Sequence, residues 1–231
     1  MKGSLRKLLL PGAALLATTL FTTGCGSGST RIRYVNAIPS AGNVDFWLDS
    51  TEVQTSSSYG NSAKYQGISS GSHTVEVRTA GTATDLINTN VTLQGGKDYT
   101  FLAEKLQGNN APVLLTDDNT APASGDIKIR GINASPTCPV DIYVVPHGTS
   151  ISGFRPTWPN IMQPNATSNP IYLSISAGTY DIIGTFPATQ FAIAEELNLT
   201  ISEGQIRSFV FLDAPTGGPP CSASLALPDL N

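Results

Sequence analysis

A phrase written twice constrains this chain more than its composition does. Ile32–Asp49 reads IRYVNAIPSAGNVDFWLD, and Ile129–Val145 reads IRGINASPTCPVDIYVV. The likeness continues in order. YQGISSGSHTVEV (Tyr65–Val77) is answered by YLSISAGTYDII (Tyr172–Ile183), and NVTLQGGKDYTFL (Asn90–Leu102) by NLTISEGQIRSFVFL (Asn198–Leu212). VLLTDD (Val113–Asp118) is answered by LALPD (Leu225–Asp229). Four blocks in one order, offset by roughly 100 residues, mark the duplication of a single structural unit.

Each block reads as β-structure. Val44, Phe46 and Leu48 alternate with Asp45 and Trp47, while Val140, Ile142 and Val144 alternate with Asp141 and Tyr143. This is the period of two expected of a strand with one buried face. HTVEVR and YDIIGTF continue it with β-branched and aromatic residues. FAIAEELNL comes nearest to a helical pattern, but its end aligns with the strand NVTL. The chain is therefore expected to be all-β: two tandem antiparallel β-sandwich domains, immunoglobulin-like or transthyretin-like, of about seven short strands each. Residues 31–120 form the first and residues 121–231 the second.

Residues identical in both units are best explained by folding. Asn36/Asn133, followed by Pro39/Pro136, suit a strand that ends in a turn, because Asn bonds local backbone and Pro removes a donor. Gly71/Gly178 read as turn positions with φ > 0. Arg33/Arg130 and Asp45/Asp141 read as a charge pair on neighbouring strands, with a ligand-binding pair as the other use.

The first residues read as a targeting segment. Lys2, Arg6 and Lys7 precede an apolar stretch from Leu8 to Phe21, which is shorter than the ~20 residues a spanning helix needs and has the proportions of a secretory signal. The stretch ends TTGC, which resembles the lipobox of bacterial lipoproteins. That resemblance implies cleavage after residue 24 and a lipid on Cys25, with residues 25–30 as a short linker; Thr22 stands where the family most often has Leu. The alternative is ordinary secretion with Cys25 as a free thiol. Without Lys2, Arg6 and Lys7, the 13 Lys and Arg fall to 10 against 17 Asp and Glu, a net charge near −7. That excludes nucleic acid, which needs basic stripes to displace counterions. The expected location is the cell envelope, lipid-anchored, with Gly26 after the Cys favouring an outer membrane where there is one.

RIRYVNAIPSAGNVDFWLD, KIRGINASPTCPVDIYVVP and AGTYDII resemble a bacterial family, domain of unknown function 4397, with one copy in each unit. The resemblance implies an extracytoplasmic β-sandwich and brings no activity or functional residues.

Cys138 and Cys221 remain as an even pair in an oxidising compartment, expected to form a disulfide; two unpaired thiols are the alternative. The closed loop would hold 84 residues, for which chain entropy gives roughly 4 kcal/mol.

Chemistry is sparse. The two histidines, His73 and His147, lie in no motif that joins them to a nucleophile and an orienting acid. They do not supply the three or four ligands of a zinc site. DDNTAPASGD (Asp117–Asp126) lacks the closing bidentate Glu of a calcium loop. No catalytic residue, metal or cofactor is expected. Function is then sought where the units differ, above all in the insertion Pro146–Pro170. There Phe154, Trp158 and Ile161 are candidate ligand-binding residues, because aromatic side chains give large contact area at little entropic cost. In the other reading the loop folds back and Trp158 covers an end of the sandwich. Trp47 is expected on the outward face of its strand, either exposed or buried between the units. Two functional classes follow: a lipid-anchored binding or adhesion module for a glycan or an envelope protein, and a structural envelope component acting through protein–protein contacts.

Overall fold

A strand with one wet face cannot be buried along its whole length, yet β1 (Thr30–Ala37) nearly is, and so is β9 (Asp126–Asn133). The arrangement of sheets explains why. The computed structural model describes residues 29–163, 170–216 and 223–229. The expected signal peptide, Cys25 and Cys221 lie outside the described residues.

The first unit continues with β2 (Val44–Leu48), β3 (Thr51–Ser57), β4 (Gln66–Ile68), β5 (Gly71–Thr79), β6 (Asp85–Leu93), β7 (Asp98–Leu106) and β8 (Asn109–Asp117). The second has, after β9, β10 (Val140–Pro146), β11 (Trp158–Ile161), β12 (Leu173–Ser176), β13 (Gly178–Thr185), β14 (Ala192–Ile201), β15 (Ile206–Leu212) and β16 (Ala223–Pro228). The described residues contain no helix, and FAIAEELNL falls largely within strand β14. Sheet orders β3-β2-β5-β6 and β4-β1-β7-β8 in the first unit recur as β11-β10-β13-β14 and β12-β9-β15-β16 in the second. All neighbours are antiparallel except β1 with β7 and β9 with β15, which are parallel.

Side-chain alternation builds four layers from these sheets. Ile32 and Tyr34 of β1 join Phe46, Val75, Val77 and Phe101 in the core of the first sandwich. Val35 and Ala37 point the other way and meet Ile132, Ala134, Val210, Leu212 and Leu227 of the second unit. Ile127, Ile129, Val140, Ile142, Phe209 and Phe211 form the second sandwich's own core. The sheets containing β1 and β9 are thus inner layers, apolar on both faces, which is the setting in which parallel pairing is normally found.

The shared residues hold local backbone alike in both units. Asn36 accepts from Ile38 N–H (3.2 Å) and donates to Ser57 C=O (2.9 Å). Asn133 accepts from Ser135 N–H (2.9 Å) and donates to Cys138 C=O (2.7 Å). Asp45 accepts from the N–H groups of Ser56 and Gly81, each at 2.7 Å, and Asp141 from those of Asn160 (2.6 Å) and Ala188 (3.0 Å). All four donors sit at positive φ, so each aspartate fastens two left-handed backbone positions, one in a strand and one in a turn. The expected pairing of Asp45/Asp141 with Arg33/Arg130 is corrected: backbone donors occupy these carboxylates. Gly71 has the expected positive φ (132°), whereas Gly178 lacks it and instead has the Tyr180 ring 3.3 Å from where its Cβ would stand.

Candidate binding surfaces

Arg33 and Arg130 find their partners across the two units. Arg33 donates through Nε to Thr100 Oγ1 (2.8 Å), stacks over Tyr65 (4.7 Å) and pairs through Nη2 with Asp229. Arg130 donates to Ser208 Oγ (2.8 Å), stacks over Tyr172 (4.6 Å) and pairs with Asp117. Asp117 also accepts from Thr100 (2.6 Å) and Tyr65 (2.5 Å), and Asp229 from Ser208 (3.1 Å). Each unit therefore supplies one arginine to the other's aspartate, in pseudo-two-fold fashion. The four charged side chains are at most 2% exposed, so no ligand reaches them. Burial, reinforced for Tyr65 by Asp117, pushes both tyrosines well above the ordinary phenol range.

His73 lies in an Asp–His–Ser cluster that lacks the geometry of a triad. Its Nδ1 is 2.7 Å from Asp49 Oδ2, and its Nε2 is 2.9 Å from the Ser69 carbonyl but 3.5 Å from Ser69 Oγ. Both ring nitrogens face acceptors, an arrangement that favours the doubly protonated ring over one that takes a proton from the serine. The Asp49 hydrogen bond raises the His73 pKa, and the His73 bond in turn lowers that of Asp49. Tyr180, at the equivalent position, donates its hydroxyl to the equivalent Ser176 carbonyl (2.6 Å). His147 bonds Asp181 through Nδ1 (2.8 Å). Among the described residues no group of three His, Cys, Asp or Glu is placed to hold a metal.

A pH effect follows from His73. Its folded pKa is raised, so the stability it contributes is complete below its unfolded value of about 6.5 and is lost as pH rises through the folded pKa. A His73→Tyr variant keeps the carbonyl bond without the charge. The gap in melting temperature between wild type and variant is expected to move in the variant's favour from pH 6 to pH 9. A gap independent of pH would show that the ring is neutral throughout.

The structure separates the three candidate residues of the insertion. Phe154 is 49% exposed. Trp158 and Ile161 lie on β11 opposite Ile142 and Val140, and both pack against the second sandwich's core. The expectation of one displayed surface is corrected, and the reason is local. Gly131 stands where the first unit has Tyr34, whose ring lies 5.2 Å from Phe46. A Cβ on Gly131 would come within 3.2 Å of the Trp158 ring and 2.5 Å of Ile142 Cδ1. Trp158 therefore fills the space of the missing tyrosine. Gly184 and Phe211 make a similar exchange for Val77 and Ala103, with Phe211 Cε1 only 2.4 Å from where a Gly184 Cβ would be.

The outer faces of the two sandwiches differ in chemistry. In the first, Trp47 is half-buried on the free face of β2, away from the second unit. Arg78 stacks on its ring at 4.5 Å and is held by Glu76 and Asp85. In the second unit the equivalent positions are Tyr143, Thr185, Ile183 and Ala192. There Tyr143, Val145 and Ile183 are buried beneath Ile151 of the insertion, with Ala192 packed beside them. Phe154 N–H and the Gln190 side chain both donate to the Ile151 carbonyl, so the loops carrying Phe154 and Phe191 (70% exposed) meet there. Sequence reasoning missed Phe191; its signal was a large aromatic residue beside the turn PATQ, before the apolar alternation of β14 begins.

Residues 30–143 match the family described as Domain of unknown function (DUF4397), a match that spans β1–β9 and reaches Tyr143 in β10. No curated protein matches this chain. Among solved structures the chain is similar to the Bacillus anthracis TIE protein, with 11% identity over 80% of this chain and 33% of that one and a TM-score of 0.24. It thus spans about a third of that protein's length. It is also similar to a streptococcal virulence factor described as binding α-glucan (9% identity, 77% and 92% covered, TM-score 0.25). A third is a family 26 carbohydrate-binding module from Eubacterium rectale Amy13K in complex with maltoheptaose (9% identity, 88% and 98% covered, TM-score 0.28).

Proposed function

We propose that this chain is a lipid-anchored, non-catalytic binding module of the bacterial cell envelope, built from two copies of the domain and contacting its partner through the second. One observation carries the placement of the contact. Among the described residues the large exposed apolar side chains are Phe154, Met162, Ile171, Leu173, Phe191 and Leu197, all in the second unit. Apolar area of this kind on a folded surface marks interaction sites. With Trp158 packed against the core, the contact centres on the loops of Phe154 and Phe191. The TTGC sequence supports lipid on Cys25, and the first strand begins five residues later. A linker that short spans about 12 Å on average, which sets the first unit against the membrane and leaves the second to face outward. The non-catalytic reading rests on His73, whose two nitrogens are both engaged by acceptors.

Binding of residues 30–231 to isolated envelope fractions, beside Phe154→Ser/Phe191→Ser, tests the contact. The wild type is expected to be retained and the double variant to lose at least tenfold in affinity; equal retention would move the contact elsewhere. Intact mass of the exported protein, with and without reductant, reads both the lipid on Cys25 and the pairing of Cys138 with Cys221. An unlipidated mass, or no gain of two hydrogens on reduction, would overturn the respective proposal.

A further inference from the structure

The outer face of the first sandwich has no role in the partner contact proposed for the second unit. Folding does not require its chemistry, since the same fold closes with Tyr143, Ile183, Thr185 and Ala192 at the equivalent positions. The first unit instead has Trp47, Glu76, Arg78 and Asp85 there, and Trp47 and Arg78 line an open depression of about 640 Å³ together with Asp45, Glu52, Thr55 and Thr82. Strand register sets Glu52, Trp47, Glu76 and Asn88 in one row across β3, β2, β5 and β6. At ~4.8 Å between strands the row spans about 14 Å, the scale of an oligosaccharide rather than a single ring.

We infer that this face is a binding site for an uncharged oligosaccharide. The chemistry excludes the charged alternatives. A polyanion would meet Glu52, Glu76 and Asp85 against the single guanidinium of Arg78. A cationic peptide would seek the indole face, but Arg78 already covers one side of it at 4.5 Å and would repel the newcomer. Sugar hydroxyls donate to carboxylate oxygens, and the apolar face of a pyranose covers the remaining indole surface. Glu52 is exposed on the edge strand with its carboxylate open to such a donor. The Trp47 N–H is turned into the protein, buried and without an acceptor, so the ring offers its apolar surface rather than a hydrogen bond. Asp45 is engaged by two backbone donors and serves as scaffold.

The test is calorimetric titration of residues 30–231 with four tetrasaccharides: a neutral glucan, an N-acetylated amino-sugar oligomer, its deacetylated cationic form and an oligouronate. Binding is expected for one or both neutral oligomers, insensitive to salt, with the cationic and anionic forms at least tenfold weaker. Trp47→Ala should weaken the neutral ligand at least tenfold. Glu52→Gln, at an exposed position where folding is not at stake, should weaken it several-fold. Phe154→Ser/Phe191→Ser should leave it unchanged, which separates this site from the second unit's contact. Absence of neutral-oligomer binding, preference for a charged form, or indifference to both Trp47→Ala and Glu52→Gln would each overturn the assignment.

Discussion

Replacing Glu104 with leucine is expected to stabilise the protein by on the order of 3 kcal/mol at pH 7. Glu104 lies on β7 in line with Thr100 and Leu102, facing the second unit. It is 0% exposed, and neither carboxylate oxygen has a hydrogen-bond partner. Burial pushes its pKa from 4.5 up to about 9, outweighing the opposing influence of the Gln163 side chain. The equivalent residue of the second unit is Leu212, buried in the apolar layer between the units, so the fold already accommodates leucine at this place. The sign follows from proton linkage. The folded chain keeps the proton while the unfolded chain releases it above about 4.5, so each pH unit between 4.5 and 9 costs native stability roughly 1.4 kcal/mol. Denaturant unfolding at pH 5, 7 and 9 reads this directly. The advantage of Glu104→Leu should be small at pH 5 and grow with pH; a constant or negative difference would mean that the carboxylate is ionised and served by a partner.

Breaking the arginine–aspartate network has the opposite expected effect. Asp117→Leu leaves the Arg130 guanidinium buried without its carboxylate and removes an acceptor from Tyr65 and Thr100. Stranding one charge of a buried pair costs roughly 3–5 kcal/mol. Asp117→Leu combined with Arg130→Met removes both charges and should recover most of that loss, because a buried pair is often nearly neutral relative to apolar residues of similar volume. A double-mutant cycle in urea measures the coupling. Simple additivity of the two single losses would show that the pair contributes nothing specific.

Much of this architecture is legible in the residues, and the exceptions have physical causes. The duplication, the strand alternation of β2 and β10 and the turn-binding asparagines all follow from local pattern and local hydrogen bonding. The partner of Arg33 does not, because Asp229 lies 196 positions away and belongs to the other unit. Its near-complete burial reflects an inner sheet apolar on both faces, and periodicity reports only how a strand alternates, not what covers its second side. Trp158 looked displayed because prolines surround it. The signal that it packs inward lay elsewhere, in Gly131 at the place of Tyr34 in the duplicate, a lost side chain whose volume another residue had to fill. Trp47 was legible as outward-facing, but only the packed structure places it on the free face rather than between the units.

The crossed pairing of Arg33 with Asp229 and Arg130 with Asp117 also governs how the chain comes together. The first sandwich holds a buried guanidinium whose counter-charge follows the last strand of the second, so completing the first inner face waits for β16. A chain made amino end first must keep that face open until β16 has emerged. The two halves are then expected to gain their stability together and to unfold in one cooperative transition, unlike the separate melting usual for independent domains.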